Sequence, residues 1–169
     1  TTDKCYLNEE LGIPFKENDH LGGKDIYSAS KASSEIVTKA YRDSFFNSSK
    51  CSIATARAGN VIGGGDWSND RLIPDIVRAL NSDKSPEIRA PESVRPWQHV
   101  LDPLFGYLNL AQNLYINESY DEAWNFGPNE DGFITVKEMT NEFIKSWQSN
   151  KTIILNSNNK NPYESKTLK

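Results

Sequence analysis

The feature that most limits the fold is an alternation of strand and helix patterns along the chain. From about Asp25 to Phe46 the residues Ile36, Val37, Ala40, Tyr41 and Phe45 fall at helical spacing. In "CSIATARAGNVIG", Ile53, Thr55 and Val61 suit a strand that ends near Ala58-Gly59. "GGGDWSND" reads as a flexible loop, because it lacks the GxGxxG or Walker spacing and does not open a helix directly. "RLIPDIVRAL" is a short amphipathic helix with Leu72, Ile73, Ile76, Val77 and Leu80 on one side, and "PEIRAP" is a brief strand. Asp102-Pro103 opens a further helix, Asp as the cap and Pro in the first turn. That helix, "LFGYLNLAQNLY", is apolar nearly all round and is expected to be buried. "AWNFGPN" is a short strand running into a turn. Thr135 and Glu138 form a capping box for "TVKEMTNEFIKSW", with Ile134 and Met139 placed as a hydrophobic staple. Such alternation predicts an α/β protein with parallel pairing.

Composition narrows the partners. The 169 residues suffice for a domain with a real core, and 37% hydrophobic with 25% charged residues fits a soluble protein. At a net charge of −4, with Lys and Arg scattered, no basic face for nucleic acid is expected. No apolar run spans a membrane. Two cysteines, Cys5 and Cys51, are too few for a disulfide framework and suit a reducing cytoplasm. With two histidines and no Cys-x-x-Cys, a metal site is not expected. The chain opens on "TTDK", its only methionine is Met139, and it stops in polar "NSNNKNPYESKTLK" with no obvious terminal element. A piece of a longer protein is the expectation.

Several short segments could carry chemistry. In "DIYSASKAS", Tyr27 and Lys31 share a helical face about 6 Å apart along the axis. A phenol with a reference pKa of about 10 needs help to act as a base, and a neighbouring ammonium favours the phenolate. The plain alternative is a solvated lysine beside a half-buried tyrosine. Thr2, Asp3 and Lys4 are a hydroxyl, a carboxyl and an amine in succession. At the end of a strand they could serve as hydrogen-bond donor, general acid and base; alone they read as a polar chain end. Asn60 in "RAGN" could bind a phosphate or sugar, or simply cap a turn. Arg95, read as lying in a loop with Trp97, suits a diphosphate or a surface ion pair.

Taken together, "TTDK", "YSASK", "RAGNVIGGGDW", "RLIPD", "RPWQHV" and "WNFGPN" resemble, in this order, extended short-chain dehydrogenase/reductases that act on nucleotide sugars. The resemblance covers nearly the whole chain and is greatest to the branch that dehydrates CDP-glucose. It implies an NAD-dependent hydro-lyase, at work in the cytoplasm as a homodimer or larger assembly, making deoxysugar precursors for lipopolysaccharide O-antigen. It also implies a partial Rossmann-like parallel sheet with a smaller substrate-binding α/β domain. Residues 1–60 would be the C-terminal part of the NAD-binding domain, 61–122 mainly substrate-binding, 123–130 a returning strand, and 131–169 the remaining substrate domain, truncated. By the same resemblance, Tyr27 is the base at the sugar C4 hydroxyl, and Lys31 holds the nicotinamide ribose and activates Tyr27. Thr2 bonds the C4 oxygen and Asp3 protonates the departing C6 hydroxyl. Lys4 stands where dTDP-glucose dehydratases carry the glutamate that removes the C5 proton. Asn60, Arg71, Leu72 and Arg95 match substrate-binding positions. The family's glycine-rich turn for the NAD pyrophosphate has no counterpart in these residues, so only part of a cofactor site is expected.

Overall fold

The computed structural model describes residues 1–46, 51–156 and 165–168. Thr2 pairs with Ala58 by a single parallel bridge, and the chain then tightens into a 3₁₀ turn, Asp3–Cys5. Helix α1, Ile26–Tyr41, is capped by Asp25, whose carboxylate accepts the Ser28 N–H and hydroxyl at 2.9 and 2.6 Å. It runs on into a π-helical turn, Arg42–Phe46. Strands β1 (Thr55–Ala58) and β2 (Asn60–Ile62) follow, then α2 (Leu72–Asn81), β3 (Glu87–Ile88) and β4 (Val94–His99). The remaining elements are α3 (Leu101–Ile116), β5 (Ala123–Phe126), β6 (Phe133–Thr135), α4 (Val136–Ser146) and β7 (Ile154–Leu155).

The α/β expectation holds, and among the described residues three of the four strand pairs are parallel: β1–β5, β2–β4 and β3–β7. β4 also pairs antiparallel with β6. The strand expected to end near Gly59 instead changes partners there, β1 lying beside β5 and β2 beside β4. A Cβ on Gly59 would sit 2.5 Å from Pro96 Cγ and 3.2 Å from Asp3 Oδ2, so only glycine lets β4 and the 3₁₀ turn approach this closely. Gln98 ties the two sheets together by donating to the Phe126 carbonyl at 2.9 Å. One core cluster joins Ile76 and Leu80 of α2 to Ile144 of α4, with Leu72 and Ile73 packed against it. Another gathers Ile88, Trp97 and Val136. The α4 capping box is present, and its flanking Ile134 and Met139 both pack on that second cluster.

The expected burial of α3 and its expected Asp102 cap are both corrected. The apolar stripe of α1 faces outward, with Ile36, Val37, Tyr41 and Phe45 exposed; the buried stripe is Ser28, Ala32 and Glu35. Small side chains let this helix pack closely, and the carboxylate finds a buried partner. In α3 only Pro103 is buried, whereas Phe105 is 73% exposed and Leu104, Leu108, Tyr115 and Ile116 are exposed too. A single stripe of α3 meets the β1–β5 sheet: Gly106 lies against the Phe126 ring and Tyr107 packs edge-on to it at 5.2 Å. Asp102 does not cap α3. The N-cap is Val100, and His99 Nδ1 accepts the Leu101 N–H at 3.3 Å. At the far end, Leu168 is buried and its N–H reaches the Val94 carbonyl, so the polar tail does contribute to the fold; residues 157–164 lie outside the described residues. No helix among the described residues is long and apolar enough to cross a membrane.

Candidate active site

A cavity of about 770 Å³ opens where β1 passes into β2. The 3₁₀ turn supplies Thr2, Asp3 and Lys4, and the first turn of α1 supplies Tyr27. Asn60 comes from β2, and Arg71 and Leu72 from the start of α2. Seven of the nine residues singled out in the sequence therefore meet on one wall. Lys31 is not on the lining, but its ammonium lies 5.4 Å from the Tyr27 ring centre. Lys4 approaches the same ring from the turn, at 5.9 Å. Two ammonium groups thus flank one phenol, and Tyr27 is half exposed to the cavity.

Asp3 is held in an unusual way. Its Oδ1 accepts the Thr2 hydroxyl at 2.9 Å, while its Oδ2 is buried with no hydrogen-bond partner among the described residues. Burial pushes the Asp3 carboxyl above the usual carboxylate range; the Thr2 hydroxyl and the charges of Lys4 and Arg95 oppose this and fall short. The outcome is a carboxyl that holds its proton more readily than an exposed one, which is what a general acid requires. Immediately after it, Cys5 is fully buried, and desolvation drives its thiol up to about 11.

Arg95 departs from its expected place. It sits within β4, not in a loop, and its buried guanidinium donates to the Val94 carbonyl at 2.8 Å and toward that of Lys166. It does not line the cavity. Conversely, the "GGGDW" loop lines it from Gly63 to Trp67, joined by Tyr107 of α3. Arg78 anchors this loop by donating to the carbonyls of Trp67 and Ser68 at 2.9 and 3.0 Å. An exposed Trp beside a glycine run was the available sign. Also unforeseen is a buried ion pair between Arg57 and Glu35, 2.7 Å apart. Its sign in the sequence was a carboxylate four residues beyond Lys31, on a helix whose neighbouring positions are small. Among the described residues, no three His, Cys, Asp or Glu side chains are grouped as metal ligands.

A largely parallel α/β fold, with a Tyr-x-x-x-Lys helix beside its main cavity, defines the short-chain dehydrogenase/reductase class. Within it, the chain belongs to the NAD dependent epimerase/dehydratase family, whose model matches residues 2–127. It is 45% identical over 175 aligned residues to the CDP-glucose 4,6-dehydratase of Salmonella typhimurium, a match that takes in all of this chain and 48% of that protein. Among solved structures, dTDP-glucose 4,6-dehydratase from Bacillus anthracis, in complex with NAD, superposes with a TM-score of 0.75 at 21% identity. That match covers 99% of this chain and 50% of the other. UDP-N-acetylglucosamine 4-epimerase from Methanobrevibacter ruminantium, in complex with UDP-N-acetylmuramic acid, gives 0.79 at 19% identity, over 99% and 51% of the two chains. These likenesses establish the shared fold. The chain spans about half the length of the relatives it matches.

Proposed function

We propose that these residues carry the catalytic turn, the catalytic helix and much of the substrate wall of a nucleotide-sugar 4,6-dehydratase acting on CDP-D-glucose. The observation that carries this reading is the Thr2-Asp3-Lys4 turn, with a readily protonated carboxyl on the same cavity as Tyr27. Elimination across C5 and C6 needs an acid at the leaving hydroxyl; inversion at C4 does not. The 45% identity to the Salmonella enzyme supports the choice of CDP-glucose. Lys31 and Tyr27 offer an ammonium and a phenol on adjacent turns, a donor set that fits the hydroxyls of a nicotinamide ribose. The chemistry supplied by NAD bound there is reversible hydride transfer, out of C4 and back into C6.

The chain's own residues handle the protons. Tyr27, flanked by Lys31 and Lys4, takes the proton from the C4 hydroxyl. Thr2, whose hydroxyl bonds Asp3, turns to the C4 oxygen when substrate is bound. The resulting C4 ketone acidifies C5–H, and Lys4, after giving up its ammonium proton, takes the C5 proton. Asp3 donates to the C6 hydroxyl, which leaves as water. Asn60, Arg71 and Leu72 hold the diphosphate and nucleotide, while Arg95 serves as a positive charge behind Asp3. Residues 1–60 and 123–130 then belong to the cofactor domain, and 61–122 and 131–169 mainly to the substrate side. We place the enzyme in the cytoplasm as a homodimer, its 4-keto-6-deoxy product feeding deoxysugar and lipopolysaccharide O-antigen assembly.

The complete protein, given NAD and CDP-glucose, should form a 4-keto-6-deoxy product visible by its alkali-induced absorbance. Asp3→Asn should still oxidise C4 and then stall, so that rapid quenching finds NADH and a 4-keto-glucose nucleotide. Inversion at C4 without loss of water would overturn the dehydratase reading in favour of an epimerase.

A further inference from the structure

The catalytic helix and the catalytic turn meet away from the cavity, at the Glu35–Arg57 pair. Tyr27, Lys31 and Glu35 follow one another at intervals of four along α1, so Glu35 lies about 12 Å down the helix from Tyr27. Its side chain is 2% exposed and that of Arg57 is 4% exposed. Glu35 accepts Arg57 Nη2 and the Thr55 hydroxyl, each at 2.7 Å, together with the hydroxyl of Thr1. Arg57 Nη1 donates to the Tyr6 hydroxyl at 2.7 Å and to the Glu17 carbonyl at 3.0 Å. The Tyr6 hydroxyl in turn donates to Asn125 Oδ1 of β5 at 2.6 Å. Thr1 and Tyr6 bracket the Thr2–Cys5 segment, so one ion pair grips the turn at both ends and the helix at its middle.

Burial works against the Glu35 carboxylate, but the bonds from Arg57, Thr1 and Thr55 outweigh it and hold its carboxyl below the usual range. The pair is therefore charged. A buried ion pair is seldom more stabilising than an apolar pair of the same volume. What it adds is direction: packed methyl groups allow a helix to roll or slide, whereas several short hydrogen bonds fix its rotation and depth. Rotation fixed at Glu35 is carried rigidly along α1 to Tyr27.

We propose that Glu35 and Arg57 are positioning residues that hold Tyr27 in register with the Thr2-Asp3-Lys4 turn, so that the ketone formed at C4 is delivered to the elimination step. This rests on the dehydratase reading above. Without the pair, the proton transfer at C4 and the elimination at C5 and C6 lose their common frame. Because an ångström of misplacement can cost about 10²-fold, the partition between the two steps is the sensitive readout.

The test uses the complete protein with Glu35→Gln and with the double variant Glu35→Leu/Arg57→Met, which replaces the pair by apolar groups of similar size. The expected result is a thermal midpoint near wild type for the double variant, KM little changed, and kcat lowered about 10²-fold. The fraction of quenched turnovers caught as 4-keto-glucose nucleotide should also rise. A purely structural pair would lower the yield of folded enzyme and leave that fraction unchanged, which would overturn the proposal. So would wild-type kcat in the folded double variant, or failure of both variants to fold. If the wild-type protein makes no 4-keto product, the dehydratase reading fails by itself. Amide exchange then decides the positioning claim: faster exchange at Cys5 and along Ala29–Lys31, with the rest unchanged, supports it, and unchanged exchange there sinks it.

Discussion

At the scale of single residues, Asp3 is the carboxyl held in the least usual way. Its oxygen Oδ2 has no hydrogen-bond partner among the described residues, and a side chain on Gly59 would crowd it. The cost of such an arrangement depends on pH, and the sign follows from linkage. The folded state raises the Asp3 pKa above the unfolded value, with desolvation as the leading cause. From the unfolded value of about 4 upward, the folded state holds this proton more tightly than the unfolded one does. Stability is therefore lost as pH rises through the folded value. Asp3→Asn removes the titration. In the complete protein it should raise the thermal midpoint at neutral pH and leave it nearly unchanged at about pH 3, where the carboxyl is protonated in both states. Thermal melts of the two proteins across that range check this; a difference that does not vary with pH would mean that Asp3 is solvated.

At the scale of elements, local signals were legible and facing directions were not. The α4 capping box depends on residues within one turn, so it could be read directly from Thr135 and Glu138. The α1 start was equally local, with Asp25 accepting from Ser28. Asp25→Ala should cost about 1 kcal/mol of stability in the complete protein, by loss of that cap. The hydrogen bonds from Ser28 hold the Asp25 carboxyl below its usual range. The cap's contribution is thus present above the unfolded value and fades as pH falls through the folded one, so the melts of mutant and parent should converge in acid. Which stripe of α1 or α3 is buried depends on the elements packed against it. In α1 a Ser-Ala-Glu stripe won over a richer apolar one because Arg57 waits in β1. Pro96 hid β4, since proline argues against a strand interior; here it sits opposite Phe133, where β4 meets β6. Strand β7 rests on pairing with β3, Glu87 lying opposite Ile154 from far along the chain, a partnership that "TIIL" does not announce. Of the residues named by motif, all but Lys31 and Arg95 line the cavity; the loop from Gly63 to Trp67 lines it too, although its glycines have neither the GxGxxG nor the Walker spacing that would mark a binding loop.

For the molecule as a whole, the exposed apolar faces are the dominant feature. Ile36, Val37, Tyr41 and Phe45 mark one side, and Leu104, Phe105, Leu108, Tyr115 and Ile116 another. Contiguous apolar surface of this kind favours association, and short strands with unpaired edges add to it. The 169 residues expressed by themselves are expected to be poorly soluble and to show no dehydratase activity, because no glycine-rich turn is present to seat a pyrophosphate. Residual nucleotide-sugar binding should fall to Asn60 and Arg71, with little affinity for NAD. Expression alone, followed by the alkali assay with NAD and CDP-glucose, checks this; a clear signal would mean that the cofactor site is complete within these residues.

The burial of Cys5 gives the molecule a clock. Its sulfur lies one residue beyond Lys4, inaccessible and far from its reactive form at neutral pH, while Cys51 is exposed. A thiol-blocking reagent will therefore mark Cys51 at once and reach Cys5 only when the segment bearing the acid and the amine swings away from β1. The lag between the two alkylations counts those openings, and substrate that braces the segment will lengthen it. Breathing of the Asp3–Cys5 turn can thus be timed by mass spectrometry on the native sequence, with no label introduced.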